Sequence, residues 1–166
     1  MATKQSAFAL TRNSFKKVSI LFIVLMVASV LVTGQTKKYI KKYRPVADSL
    51  GKVYGIPSAV ILGVAIVESS TGSGQTSTLL NNHFGIVGKN TLKKTHKIKT
   101  RYKYYSTVTA SYIDFCKLVS KRKFYSKLKK NLNYTLWVDA ISKSGYSEVP
   151  SIWKERVLSV IKKHKL

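Results

Sequence analysis

Hydrophobic and polar positions divide this 166-residue chain into segments of distinct character. The first is an apolar stretch of 15 residues, Val18 to Val32, behind a lead in which Lys4, Arg12, Lys16 and Lys17 are the only charges. A spanning helix needs roughly 20 apolar residues, so this stretch is short for one. It suits the hydrophobic region of a signal peptide, with a cut near Gly34–Gln35; the rival reading is an uncleaved N-terminal anchor. No cysteine sits at its end, so a lipid anchor is not supported. The expected organisation is therefore residues 1–34 as signal peptide or anchor and residues 35–166 as one domain.

In the remainder, Tyr39 to Tyr54 reads as a helix with Tyr39, Tyr43, Val46, Leu50 and Val53 on one face. Pro45 is a place for it to start or kink. Gly55-Ile-Pro57 ends it, and Pro57 suits the first turn of the next helix. Ser58–Glu68 is apolar on nearly every side, the pattern of a central buried helix. Ser69–Leu80, rich in Ser, Thr and Gly, reads as loop. From Lys97 to Tyr105 the pattern alternates, with Lys97, Lys99, Arg101 and Lys103 on one side and Ile98, Tyr102 and Tyr104 on the other. This predicts a half-buried strand in a small hairpin. Helices are expected again over Val108–Ser120, around Tyr134–Ser144, and from Pro150 to about Lys163 with Trp153, Val157, Val160 and Ile161 inward. The fold class is mainly α (α+β): a helical domain with one small β-hairpin lobe.

Composition narrows the chemistry. There are 30 Lys and Arg against 6 Asp and Glu, a formal charge of +24, while 45 % of residues are hydrophobic. That is enough for a packed core, so the charge does not signal disorder. Residues 35–166 keep 26 of those basic residues and all 6 acids, a balance of +20. An exported domain this basic should meet a polyanion: a wall polymer, anionic lipid head groups or nucleic acid. A single cysteine excludes a disulfide framework. Cys116 shares an i, i+3, i+4, i+7 stripe with Tyr112, Phe115 and Val119, and reads as a buried small hydrophobe. His83, His96 and His164 lack ligand spacing, so no metal is implied. No Gly-rich phosphate loop is present, and no organic cofactor is implied.

Glu68 is the first candidate for chemistry. It is the first charge after the apolar run and shares a face with Ile61, Val64 and Ala65. It also sits at a helix C-terminus, where the dipole disfavours negative charge. Desolvation and dipole both push its pKa upward. A carboxylic acid that stays protonated near neutral pH is what a glycosidase needs to protonate a leaving oxygen; the plainer alternative is an exposed acid at a frayed helix end. Most glycosidases use two carboxylates, yet Ser69 to Ile113 contains no Asp or Glu. Of the remaining acids, Asp114 and Asp139 fall within expected helices and suit structural or solvated roles. Glu148 lies in the turn Gly145-Tyr-Ser-Glu-Val-Pro150, where a catalytic group is plausible.

Several segments stand in a telling order: Tyr39-Ile-Lys-Lys-Tyr-Arg-Pro45, Tyr54-Gly-Ile-Pro-Ser58, Ala65-Ile-Val-Glu-Ser69, Asn81-Asn-His-Phe-Gly-Ile86, Tyr105-Ser106, Phe124-Tyr125, Trp137, Gly145-Tyr146 and Pro150. Together they resemble the glucosaminidase domain of glycoside hydrolase family 73, the bacterial cell-wall autolysins, over roughly Tyr39 to Leu166. The resemblance implies a lysozyme-like helical fold with a small β lobe flanking a cleft. It implies hydrolysis of the β-1,4 bond after N-acetylglucosamine in peptidoglycan, and a location in the cell envelope. Glu68 matches the family's general acid. Tyr146 matches the tyrosine of its Gly-Tyr motif, near the cleft floor. Asn82, Phe84 and Gly85, with His83 beside them, match the segment that shapes the substrate groove. A structural role for that segment is an equal alternative, and Phe84 in particular suits the core. A plain structural histidine is the simpler reading of His83, as core positions are of Trp137 and Trp153.

The sequence also departs from the family. Ser70 replaces a glycine, Ser147-Glu148-Val149 replaces Ala-Thr-Asp/Asn, and the expected β lobe lacks an acid: Lys89 to Lys103 holds seven Lys or Arg and none. Three readings stand. Glu68 acts alone, with the substrate's 2-acetamido group as internal nucleophile and Tyr146 orienting it. Or Glu148 supplies a base. Or the domain is a weak or inactive hydrolase fold that binds wall glycan and anionic polymers. Specific nucleic-acid binding is disfavoured by the export segment and the absence of a recognised motif. A muramidase or lytic transglycosylase fits the Asn-Asn-His-Phe-Gly-Ile segment and Gly145-Tyr146 less well.

Overall fold

The helix expected over Ser58–Glu68 anchors the architecture, because it has no polar side to give to solvent. The computed structural model describes residues 34–91 and 99–166. The expected signal peptide or anchor, apart from Gly34, and Lys97 and Ile98 of the expected strand lie outside the described residues. The chain divides into two units, residues 1–38 and 39–166. In the first, the described residues 34–38 are helical. The second holds α1 (39–54), α2 (Ser58–Ser69), α3 (Gln75–Leu80), α4 (Val108–Ser120), α5 (Tyr125–Leu128), α6 (Tyr134–Ile141) and α7 (Pro150–His164). A single π-helical turn, Ser142–Tyr146, follows α6. Among the described residues no helix is long and apolar enough to cross a membrane.

α2 lies at the centre: every residue from Ala59 to Ile66 is buried. Its main partner is α7, with α6 alongside. Gly63 makes the α2–α7 contact close. A Cβ there would lie 2.7 Å from Ile161 Cγ1 and 3.4 Å from Val157 Cγ1. The inward stripe of α7 is Trp153, Val157 and Ile161, as its spacing predicts, with Val160 only partly buried. The remaining core is aromatic. Phe84 stacks on Phe115 at 4.4 Å and meets Tyr112 edge-on at 4.8 Å. Trp137 is fully buried, its indole N–H donating to the Asn131 carbonyl at 2.8 Å. Cys116 is also fully buried, and burial pushes its thiol up to about 12.

Several boundaries differ from expectation. α1 continues through Pro45 without a break, and its buried face uses Ala47 while Val53 is exposed. The segment 69–80 is not all loop. After three turn residues with positive φ (Ser70, Thr71, Gly72) the chain re-enters a helix at Gln75, held by Ser77 Oγ donating to the Gly74 carbonyl at 2.7 Å. A run of small polar residues hides such a helix because it offers only Ser77 and Leu80 to the core. The short α5 likewise has no counterpart among the expected elements.

The expected hairpin is reduced to one antiparallel bridge, Val87 to Tyr102, among the described residues. Gly88 N–H donates to the Arg101 carbonyl at 3.0 Å and Lys103 N–H to the Ile86 carbonyl at 2.8 Å. Beyond that point side chains replace the ladder: Asn82 Nδ2 donates to the carbonyls of Ile86 (2.8 Å) and Lys103 (2.9 Å). The alternation of the strand also breaks. Lys103 turns inward, and its Nζ donates to Asp114 Oδ2 at 2.6 Å, beside Tyr105 Oη at 2.7 Å. Burial alone would raise the Asp114 carboxyl, but these two donors outweigh it and its pKa is lowered. Asp114 is thus the clasp between this segment and α4.

The α2–α7 contact yields a first prediction. Gly63→Ala should destabilise the protein by about 1–3 kcal/mol through overpacking. Helix propensity alone would favour alanine by about 1 kcal/mol. Urea unfolding measures the sign; a more stable alanine variant would show that the helices part without cost.

Candidate active site

The last turn of α2 brings Glu68 to the floor of a cleft of about 760 Å³. One wall comes from Gly85, Val87, Arg101 and Tyr102. The other comes from Gly145 to Val149 and the start of α7, with Ile152, Trp153 and Arg156. Trp153 reaches Glu68 directly: its indole N–H donates to Oε1 at 2.6 Å. Trp153 is therefore both a core residue, as its stripe predicts, and a wall of the cleft. Its polar edge is the part that sequence spacing does not reveal.

On the other side of the carboxyl, Gly85 has φ +61, and a Cβ there would lie 3.3 Å from Glu68 Oε2. Glycine thus admits the close approach and leaves Oε2 toward the cleft. The Glu68 pKa is raised: burial dominates and the Trp153 hydrogen bond opposes it without cancelling it. The α2 C-terminus acts in the same sense as burial, at about 0.3–1 kcal/mol.

Tyr146 lines the cleft next to these groups. Its ring lies 5.3 Å from that of Trp153, and its hydroxyl donates to the Phe84 carbonyl at 2.7 Å. Burial and the nearby Glu68 push its pKa well above the usual value. Glu148 also lines the cleft but is almost fully solvated. It faces Arg101 across the opening, with Nη2 to Oε1 at 3.4 Å and side-chain exposures of 66 % and 87 %. An ion pair this exposed holds its members loosely.

The other residues singled out from sequence separate. Gly85 is in the cleft, whereas Asn82, His83 and Phe84 are buried behind it. Asn82 folds the segment from within, adding the Ile86 N–H at 3.1 Å to its two donations. His83 Nδ1 pairs with Tyr39 Oη at 2.7 Å, and that hydroxyl also meets Tyr112 Oη at 2.9 Å. Burial, then the charge of Lys42, lowers the His83 pKa to about 4. Phe84 contributes its carbonyl to Tyr146 and its ring to the core. Sequence reasoning did not single out Arg101 or Arg156 for the cleft; nothing distinguishes them from the other 28 basic residues until the chain is folded.

A lone half-buried acid at the end of a buried helix, on the floor of an open groove, has the layout of a glycosidase. The glucosaminidase family model, described as mannosyl-glycoprotein endo-beta-N-acetylglucosaminidase, matches residues 44–166. The chain belongs to this glucosaminidase family. The match takes in the whole cleft, so the domain is a glycoside hydrolase domain, of the family 73 type that its motifs resemble.

Solved structures agree on the fold. The catalytic domain of the autolysin Auto from Listeria monocytogenes matches with TM-score 0.65 at 18 % identity, covering 79 % of this chain and 85 % of that one. The truncated glycoside hydrolase domain of FlgJ from Salmonella typhimurium matches with TM-score 0.63 at 18 % identity, covering 78 % and 97 %. A peptidoglycan hydrolase from Sphingomonas sp. A1 matches with TM-score 0.60 at 20 % identity, covering 75 % and 86 %. No curated protein sequence matches the chain.

The raised acid makes a stability prediction. Below the ordinary value of 4.5 Glu68 is protonated in both folded and unfolded chains. As pH rises past it the unfolded chain loses the proton first, so the folded parent loses stability until its own pKa is passed. Glu68→Gln does not titrate. Its stability relative to the parent should therefore be more favourable at pH 8 than at pH 4 in urea unfolding. A difference independent of pH would place the carboxyl in an ordinary solvated setting.

Proposed function

We propose that the domain is a peptidoglycan hydrolase, an endo-β-N-acetylglucosaminidase that cleaves the β-1,4 bond after N-acetylglucosamine, with Glu68 as general acid. The observation that carries this reading is the Glu68 carboxyl itself. Burial raises its pKa above that of an ordinary carboxyl, Trp153 hydrogen-bonds one oxygen, and the other lies toward the cleft. Because Oε1 accepts the indole N–H, the acid proton belongs on Oε2, the oxygen beside Gly85. From there it passes to the glycosidic oxygen as the bond to the anomeric carbon breaks, and Glu68 becomes the carboxylate that later accepts a proton from the attacking water.

The nucleophile in this reading is the substrate's own 2-acetamido oxygen, tethered at high effective concentration to the anomeric carbon. Tyr146 supports it. Its hydroxyl proton is committed to the Phe84 carbonyl, so its oxygen is left to accept the acetamido N–H and turn the amide oxygen toward the reacting carbon. Glu148, solvated and paired with Arg101, fits a rim role better than that of a second carboxylate. Asn82, His83 and Phe84 act behind the groove wall by holding Gly85 and the Phe84 carbonyl in place. With wall glycan as substrate the work is in the cell envelope, in keeping with the expected signal peptide or anchor.

Digestion of purified peptidoglycan by the full chain tests this. The parent should release products with reducing N-acetylglucosamine ends, identified by mass spectrometry. Glu68→Gln should lower the rate by about 10²–10⁴-fold, the usual contribution of a general acid. Tyr146→Phe, run alongside, should lose turnover while keeping its affinity for the wall. Anhydromuramic ends would point to a transglycosylase. Failure of the parent to release sugar while still pelleting with the wall would mean that the fold serves as a binding module.

A further inference from the structure

The cations of the cleft are selected. The chain has 25 lysines and 5 arginines. Yet the cleft takes two of those arginines, Arg101 and Arg156, and among the described residues no lysine lines it. Arg156 projects from the same side of α7 as Ile152 and Trp153, one turn on, and is exposed. Arg101 extends from the opposite wall, its guanidinium 5.6 Å from the Tyr102 ring centroid. A random draw on so lysine-rich a surface would favour lysine. Arginine differs in its planar fork, which takes a carboxylate through two parallel N–H bonds, and lysine does not.

The charge balance of the groove agrees. Its acids are Glu68, whose pKa burial raises, and Glu148, which faces Arg101. That Arg101 contact places a carboxylate against the guanidinium at the cleft rim. At 3.4 Å, between two largely exposed side chains, it is loose enough to be exchanged for another carboxylate. Arg156 has no acidic partner among the described residues.

We propose that Arg101 and Arg156 are specificity residues that bind carboxylates carried by the glycan strand, so that the cleft selects an acidic glycan over a neutral one. The proposal rests on the glycosidase reading of the same site, and it names the feature of the substrate that the cleft reads. In wall glycan the carboxylate has two sources, the lactyl ether of the muramic sugar and the peptide attached to it. Both present the same group to a guanidinium.

The test is binding, which does not depend on turnover. The full-length Glu68→Gln chain is titrated with three soluble glycans of equal sugar number. They are a wall fragment with its peptides, the same fragment stripped of peptides so that the lactyl carboxylates are free, and a neutral N-acetylglucosamine oligomer. Titration is repeated with Arg101→Gln plus Arg156→Gln, and with Arg101→Lys plus Arg156→Lys. Lys121→Gln plus Lys123→Gln serves as a control that removes equal charge outside the cleft.

At least one acidic fragment should bind about tenfold more tightly than the neutral oligomer, as one charge-assisted contact allows. Which of the two does so identifies the lactyl or the peptide carboxylate. The preference should vanish in the Gln pair, fall in the Lys pair and survive in the control. Equal binding of all three glycans, binding of none, or a preference lost equally in the control would overturn the proposal. Hydrolysis by the parent chain is scored separately. Turnover without an arginine-dependent preference sinks only this inference; an arginine-dependent preference without turnover sinks the hydrolase reading and leaves this one standing.

Discussion

The contact on which the site depends is the close crossing of α2 and α7. Gly63 lets Ile161 approach to a distance that any side chain would prevent. The same crossing sets Trp153 at the end of α2, with its indole N–H 2.6 Å from Glu68. One helix supplies the acid and the other orients it. Neither side chain has this meaning alone: a glutamate at a helix end is ordinary, and a tryptophan in an apolar stripe is ordinary. Their meeting makes a carboxyl that is partly dehydrated, fixed in direction and open on one oxygen.

The electrostatics of the domain follow from how few acids it has. Asp139 bridges α6 and α7 through Lys154 and also pairs with Lys143 of the π-helical turn. Asp114 holds Lys103 and Tyr105. These acids serve as clasps in a chain otherwise dominated by cations, and both have lowered pKa values. Glu68 is moved the other way, because burial governs and among the described residues no cation pairs with it. Opposite shifts among the carboxyls of one small domain set Glu68 apart from the two clasps and mark it as the candidate for chemistry. With the remaining cleft acid solvated, a mechanism that borrows its nucleophile from the substrate asks least of the protein.

Much of the fold was legible because the apolar patterns were strong. α2 appears where its unbroken apolar run puts it, and α4 and α7 where periodicity does, since each of those two presents a continuous face to the core. Legibility failed where side chains rather than backbone ladders hold the chain. Among the described residues the expected hairpin shows one bridge, and Asn82 takes the carbonyls of Ile86 and Lys103 beside it. Lys103, expected on a solvated face, is drawn inward by Asp114. In the site, Glu68 could be singled out from its apolar neighbours alone, whereas Tyr146 and Gly85 needed the family motifs. Arg101 and Arg156 could not be read at all, because cleft membership depends on crossings between segments 55 positions apart. His83, beside the groove in sequence, points into the Tyr39–Tyr112 cluster because neighbouring residues of an irregular segment face opposite ways.

The central claim is that Glu68 keeps its proton beyond the range of an ordinary carboxyl. The most direct measurement is a carbon-13 titration of the glutamate side-chain carboxyls, with the Glu68 signal assigned by its loss in Glu68→Gln. The account predicts a Glu68 midpoint above the usual 4.5, and a further rise when Trp153→Phe removes the indole donor. A midpoint at or below that value, unmoved by the tryptophan change, would contradict it.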